Sequence, residues 1–214
     1  MGFSWLESNV LTFFGENNIR PLIGVFAGGF IIFLLGVVDD IKALSPEIKL
    51  IGQLVAGFVL VLSGVHVDFF IDTLLMRFEF FSQMSELTFS YVTATVAGAV
   101  TIFWIVLMTN AMNLLDNMDG LCGGVSGIAA LSFFLCVIPQ QEYFVCVLLM
   151  AFAGSVAGFL YHNLNPARIF MGDAGAMFSG YILATVAVLG TFYTEPTPSQ
   201  IAVAAPLLAL CVPL

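Results

Sequence analysis

Long apolar stretches separated by short polar breaks dominate this chain. Near-continuous apolar runs occupy residues 21–38, 50–66, 92–109, 121–138, 143–161, 176–194 and 200–214, and none contains Asp, Glu, Lys or Arg. A soluble helix carries a polar face and a soluble strand alternates; unbroken apolar runs approaching about 20 residues match the thickness of a bilayer instead. In hydrocarbon every backbone N–H and C=O must be paired within its own segment, so such runs are helices. The pattern therefore predicts an all-α, polytopic transmembrane bundle of about seven spans, the last incomplete, forming one transmembrane domain over residues 1–214. Residues 67–90 make the longest break, where the alternation Arg77-Phe78-Glu79-Phe80 suits either a short hairpin or an interfacial helix.

Composition agrees with this reading. The chain has 214 residues, 60% of them hydrophobic and only 9% charged, against about 25% charged in a soluble domain. Mean hydropathy is +1.07. No secretory leader is apparent, because residues 1–19 carry Glu7 and Glu16 without a basic start. Cys122, Cys136, Cys146 and Cys211 all lie in apolar runs, where cysteine acts as a small hydrophobe and a disulfide framework is not expected. The net charge of -9 calls for no nucleic-acid partner.

The polar breaks carry the chemistry. Asp39 and Asp40 follow the first run, Asp116 and Asp119 the third, and Asp173 the fifth. If each run crosses once, all five aspartates meet at one membrane face, where their mutual repulsion calls for a cation. Lys42, Lys49 and Arg168 share that face while Arg20 and Arg77 lie opposite, an excess that favours the cytoplasm. Adjacent acids at the C-terminal end of a helix oppose its dipole, so Asp39 and Asp40 need a cation or a lysine nearby. Between Asn110 and Leu121, polar side chains recur at 110, 113, 116 and 119. In a regular helix they would spread over half the circumference, and a broken last turn near Gly120 would gather them. Their acceptors and amide donors suit a metal or the edge of a nucleobase. In the third break, Gly172 and Gly175 flank Asp173 before the sixth run. A glycine-flanked helix entry lets backbone amides approach phosphate oxygens, and Phe170 could stack on a base. Asp173 as a plain helix cap is the simpler alternative.

With Val38-Asp39-Asp40, Asn110 to Leu121 and Asn165 to Gly175 in this order, the chain resembles the polyprenyl-phosphate N-acetylhexosamine-1-phosphate transferases. Members include GlcNAc-1-phosphate transferases and the phospho-MurNAc-pentapeptide translocase. The resemblance covers residues 21–214, and Ser45 to Gln53 looks closer to the GlcNAc branch. It implies transfer of a sugar 1-phosphate from a UDP-sugar to a polyprenyl (undecaprenyl) phosphate, with release of UMP. That step starts the assembly of cell-envelope polysaccharide, lipopolysaccharide or peptidoglycan. The implied cofactor is Mg²⁺, with Mn²⁺ as a substitute, and the implied site faces the cytoplasm. By motif position, Asp39, Asp40 and Asp173 are the catalytic residues, with Asp173 and Asp40 as metal ligands. Asn113, Asp116, Asp119 and Phe170 would line the uridine pocket, and Lys49 and Asn163 would serve the nucleotide or its diphosphate. A homodimer is compatible with the resemblance.

Family members carry about ten or eleven spans and a histidine-rich loop, so the chain is expected to be a fragment of such an enzyme. Asn117 also stands where many members have Gly. A cation-coupled transporter and an inactive membrane scaffold are the competing functions. Acids at span ends, rather than at the midplane, favour surface chemistry over transport.

Overall fold

The computed structural model describes residues 19–67, 75, 85–140 and 142–192. Six α-helices are present among them: α1 (Ile19–Lys42), α2 (Pro46–Leu62), α3 (Glu86–Leu115), α4 (Leu121–Val137), α5 (Tyr143–Asn163) and α6 (Gly172–Phe192). The described residues contain no strand. The expected structure at 67–90 and the seventh run at 200–214 lie largely or wholly outside the described residues.

Helix starts follow local rules. Pro46 at the head of α2 has no amide hydrogen to lose, and Ser45 before it is extended (φ -67, ψ 150). At α3, the Ser85 hydroxyl accepts from the Thr88 amide at 3.4 Å. Four helices, α1, α3, α5 and α6, are long and apolar enough to cross a membrane. α2 and α4 have 17 residues each, about 26 Å at 1.5 Å per residue, a little short of a 30 Å hydrocarbon core. The expected count of seven spans is therefore not established. The all-α membrane bundle is.

α6 lies at the centre, packed against α1, α3 and α4, while α2 bridges α1 and α3, and α4 pairs with α5. Burial follows this order: 72% of the spanning window of α6 is inside the bundle, against 22% for α5. Tyr181, Met177 and Leu183 of α6 are fully buried with Ile32, Leu60, Ile105 and Met108. The Tyr181 hydroxyl donates to the Val25 carbonyl of α1 at 3.1 Å, so even the large polar group in this core is satisfied. Outward faces are apolar: Phe26, Phe30, Phe58 and Phe103 are more than half exposed. On a soluble protein such a surface would aggregate, but lipid solvates it.

One contact sets the site. Gly36, near the end of α1, lies against the first turn of α6. A Cβ built there would run into Ala174 Cα and stand 2.6 Å from the Ala174 nitrogen and 2.9 Å from the Asp173 carbonyl carbon. Only a residue without a side chain lets the two backbones approach so closely.

Candidate active site

The C-terminal end of α1 and the N-terminal end of α6 meet through charge. The Asp40 carboxylate accepts from the Asp173 amide at 2.8 Å and from the Ala174 amide at 3.1 Å. It thus caps α6 from another helix and sits at the positive end of that helix dipole. Gly172, which begins α6, has φ +66, and a Cβ there would fall 2.9 Å from Asp40 Oδ2. Glycine supplies both the left-handed backbone and the space. The amides expected to approach a phosphate are thus held by Asp40 in this arrangement.

Asp39 shares Lys49 with Asp173. It is 5% exposed, accepts from the Leu44 amide at 2.7 Å and pairs with the ammonium of Lys49. The acids at the end of α1 are therefore compensated by a lysine and by a helix N-terminus. Lys49 Nζ also lies 2.9 Å from Asp173 Oδ2, and Asn113 Nδ2 donates to Asp173 Oδ1 at 2.8 Å. Asp173 is thus no simple cap: its side chain joins α2, α3 and α6.

α3 ends at Leu115 and Asp116 leaves helical geometry (φ -79, ψ 47), the broken turn that the spacing called for. Burial raises the pKa of Asp116 above its ordinary value, and the nearby charges of Asp173 and Asp40 add to this against a Gly172 amide that lowers it. The four polar positions do not gather on one spot. Asn110 pairs with Gln53, Asn113 with Asp173, and Asp116 faces Gly172. Asp119 Oδ2 accepts from Asn165 Nδ2 and from the Ala167 amide, both at 3.0 Å.

Asn163 is 4% exposed; its Oδ1 accepts from the Gly120 amide at 3.0 Å and its Nδ2 donates to the Ile169 carbonyl at 2.8 Å. With both ends of its amide engaged by main chain, Asn163 stands here as a joint between loops 116–120 and 164–171. Asn163→Leu should remove both hydrogen bonds from the Gly120 amide and the Ile169 carbonyl, costing about 1 kcal/mol for each. The loss would appear as a lower thermal midpoint in detergent, and an unchanged midpoint would contradict the joint. Beyond that joint, Phe170 is 77% exposed at the surface of the loop. An apolar groove of about 500 Å³ runs between α5 and α6, with Phe170 and Met171 at the site end and Leu148 and Ile182 farther along.

Asp39, Asp40, Asp116 and Asp173 therefore lie in one neighbourhood, with the ammonium of Lys49 among them. Among the described residues no three His, Cys, Asp or Glu side chains form a ready metal cage. Magnesium does not need one: it binds through one or two carboxylates, keeps several waters and takes the rest of its shell from substrate phosphates. Asp39 and Asp173 share one ammonium and Asp40 and Asp116 lie beside Asp173, an excess of negative charge that fits a divalent cation. Two contacts were beyond sequence reasoning, the capping of α6 by Asp40 and the Gln53–Asn110 pair. The first had no signal, whereas a lone glutamine inside a charge-free apolar run was a signal for the second.

Comparison with known proteins agrees with the motifs. The model of the family described as Glycosyl transferase family 4 matches residues 22–191. A "Probable undecaprenyl-phosphate N-acetylglucosaminyl 1-phosphate transferase" of Bacillus subtilis (strain 168) is 34% identical over 194 residues, covering 90% of this chain and 50% of the relative. A "Phospho-N-acetylmuramoyl-pentapeptide-transferase" of Bacillus mycoides (strain KBAB4) is 34% identical over 176 residues, covering 78% of this chain and 50% of the relative. The chain spans about half the length of these curated relatives.

Proposed function

This chain belongs to glycosyl transferase family 4, and we propose that it forms the catalytic part of a membrane sugar-1-phosphate transferase. The reaction is transfer of GlcNAc 1-phosphate, or a related N-acetylhexosamine 1-phosphate, from a UDP-sugar to undecaprenyl phosphate, releasing UMP. The observation that carries this reading is the meeting of Asp39, Asp40 and Asp116, from two separate breaks, with Asp173 from a third, two of them sharing Lys49, at one end of a membrane bundle. The similarity to relatives named for this reaction supports the substrates.

Both substrates are anionic, so their meeting needs positive charge. A bound Mg²⁺, or Mn²⁺ in its place, would polarise the diphosphate and offset charge on the departing UMP. Asp173 and Asp40, with Asp116 beside them, would hold it: each oxygen of Asp173 and of Asp40 accepts one hydrogen bond and keeps a second lone pair for a cation. Asp40 also fixes the first turn of α6, and with it the position of Asp173.

The acceptor phosphate is largely dianionic at pH 7, taking the second pKa of phosphoserine, near 6, as a guide. It therefore needs no strong base. Asp39 is buried and ion-paired with Lys49, and Asp40 is hydrogen-bonded to the first turn of α6, arrangements that hold both carboxylates in place rather than aim them as nucleophiles. This favours direct attack of the lipid phosphate on the sugar-bearing phosphorus over an aspartyl-phosphate intermediate. Exposed Phe170 suits a face of the uracil ring, with Asp119 and Asn113 at its polar edge. The groove between α5 and α6 suits the polyprenyl tail, which keeps the head group beside the aspartates and lowers the entropic barrier. Lys42, Lys49 and Arg168 at this end favour the cytoplasmic side.

Incubation of the membrane-embedded protein with radiolabelled UDP-GlcNAc, Mg²⁺ and undecaprenyl phosphate tests the reading. The expected result is one UMP released for each labelled lipid formed. Absence of labelled lipid would refute the function, and UMP release without lipid would refute direct attack.

A further inference from the structure

Below the Lys49–Asp173 contact lies a second tier of polar groups that the proposed reaction does not use. Lys49 and Gln53 on α2, Asn110 and Asn113 on α3, and Asp173 and Met177 on α6 are three or four residues apart. Each pair therefore shares a helix face, one turn apart. The upper members form the site: Lys49 and Asn113 hold the two oxygens of Asp173. The lower members hold one another. Asn110 Nδ2 donates to Gln53 Oε1 at 2.7 Å, Gln53 Nε2 donates back to Asn110 Oδ1 at 3.3 Å and reaches Met177 Sδ at 3.7 Å. Asn110 Nδ2 is anchored to its own helix through the Val106 carbonyl at 2.7 Å.

Gln53 is fully buried, and a buried primary amide loses free energy unless its donors and acceptor are satisfied. The reciprocal pair satisfies them at one axial register of α2 against α3. A slip of one residue moves a helix by about 1.5 Å along its axis, which breaks the amide pair and carries Lys49 off the carboxylates. Farther along the same pair the close approaches are apolar, Gly57 against Ile102 and Gly98 against Val61. We propose that Gln53 and Asn110 are positioning residues, a register lock that sets Lys49 and Asn113 on the Asp173 carboxylate.

The kinetic consequence rests on the proposed function, whereas the geometric one does not, so the test reads both. The chain has two lysines, Lys42 and Lys49, and Lys42 is exposed, which makes it an internal reference for acylation by a water-soluble succinimidyl ester. In Gln53→Leu, acylation of Lys49 rises several-fold relative to Lys42. The kcat for transfer falls about 10- to 100-fold, the cost of a misplacement near 1 Å, with KM for UDP-GlcNAc within about twofold. The exchange Gln53→Asn with Asn110→Gln preserves the summed length of the pair and restores both readouts beyond Gln53→Asn alone. Unchanged Lys49 acylation in Gln53→Leu, or an exchange variant no better than Gln53→Asn, would overturn the lock. Should the wild-type protein show no transfer, the acylation ratios still decide the lock, and it is the proposed reaction that fails.

Discussion

Asp173→Asn lowers the rate of sugar-phosphate transfer by about a thousandfold or more, while the protein still accumulates in the membrane. Asparagine keeps the shape of the side chain and can still accept from Asn113, whose Nδ2 lies 2.8 Å from Oδ1. What it removes is the negative charge facing Lys49. If that charge holds the cation, several kcal/mol of transition-state stabilisation go with it, and each 1.36 kcal/mol is a factor of ten. The fold should tolerate the change, because the ion pair is partly exposed and such pairs contribute about 1 kcal/mol or less. Initial rates with labelled UDP-GlcNAc, alongside the quantity of folded protein, check both parts. Near-normal turnover would remove Asp173 from the site.

Gly36→Ala is expected to damage both stability and activity through one methyl group. Its Cβ would meet the backbone of Ala174, 2.6 Å from the amide nitrogen that Asp40 accepts. Backbone cannot rotate away as a side chain can, so α6 or α1 must shift. Overpacking of this kind costs about 1–3 kcal/mol. A displacement near 1 Å at Asp173 reduces transfer about a hundredfold. Gly154→Ala on α5 is the matched control, since a Cβ there meets nothing within 4 Å. The thermal midpoint in detergent and the transfer rate should both fall for the first variant and hold for the second.

Much of the architecture was legible in the sequence because membrane helices announce themselves one at a time. Charge-free runs located all six described helices, with ends misplaced by a few residues where helices extend beyond the apolar stretch. α3, for example, begins at Glu86, six residues before its apolar run, because Ser85 supplies a cap that hydropathy ignores. Counting spans also brought five aspartates to one end; contacts join Asp39, Asp40, Asp116 and Asp173, while Asp119 is bonded to Asn165 and Ala167 of the neighbouring loop.

Less legible was which group each polar residue touches. Asn110 lay in step with Asn113 and Asp116 along the chain, yet it faces Gln53, one turn along the helix from the Asp173 carboxylate that Asn113 meets. Asn163 read as a nucleotide contact but has both ends of its amide on backbone groups of two loops, a pairing between distant segments that no local pattern encodes. Asp40 read as a metal ligand, and the helix it caps begins 132 residues later, at Gly172. Asp119 and Phe170 lie on the surface of interlocked loops, and their part in holding uridine remains a proposal.

Binding of Mn²⁺, followed by electron paramagnetic resonance on the membrane protein with UDP-GlcNAc present, tests most directly whether these carboxylates hold a divalent cation against a nucleotide diphosphate. The account predicts a bound Mn²⁺ signal that Mg²⁺ competes away and that Asp173→Asn abolishes. A signal indifferent to Asp173→Asn, or no bound Mn²⁺ with the nucleotide sugar at saturation, would contradict it.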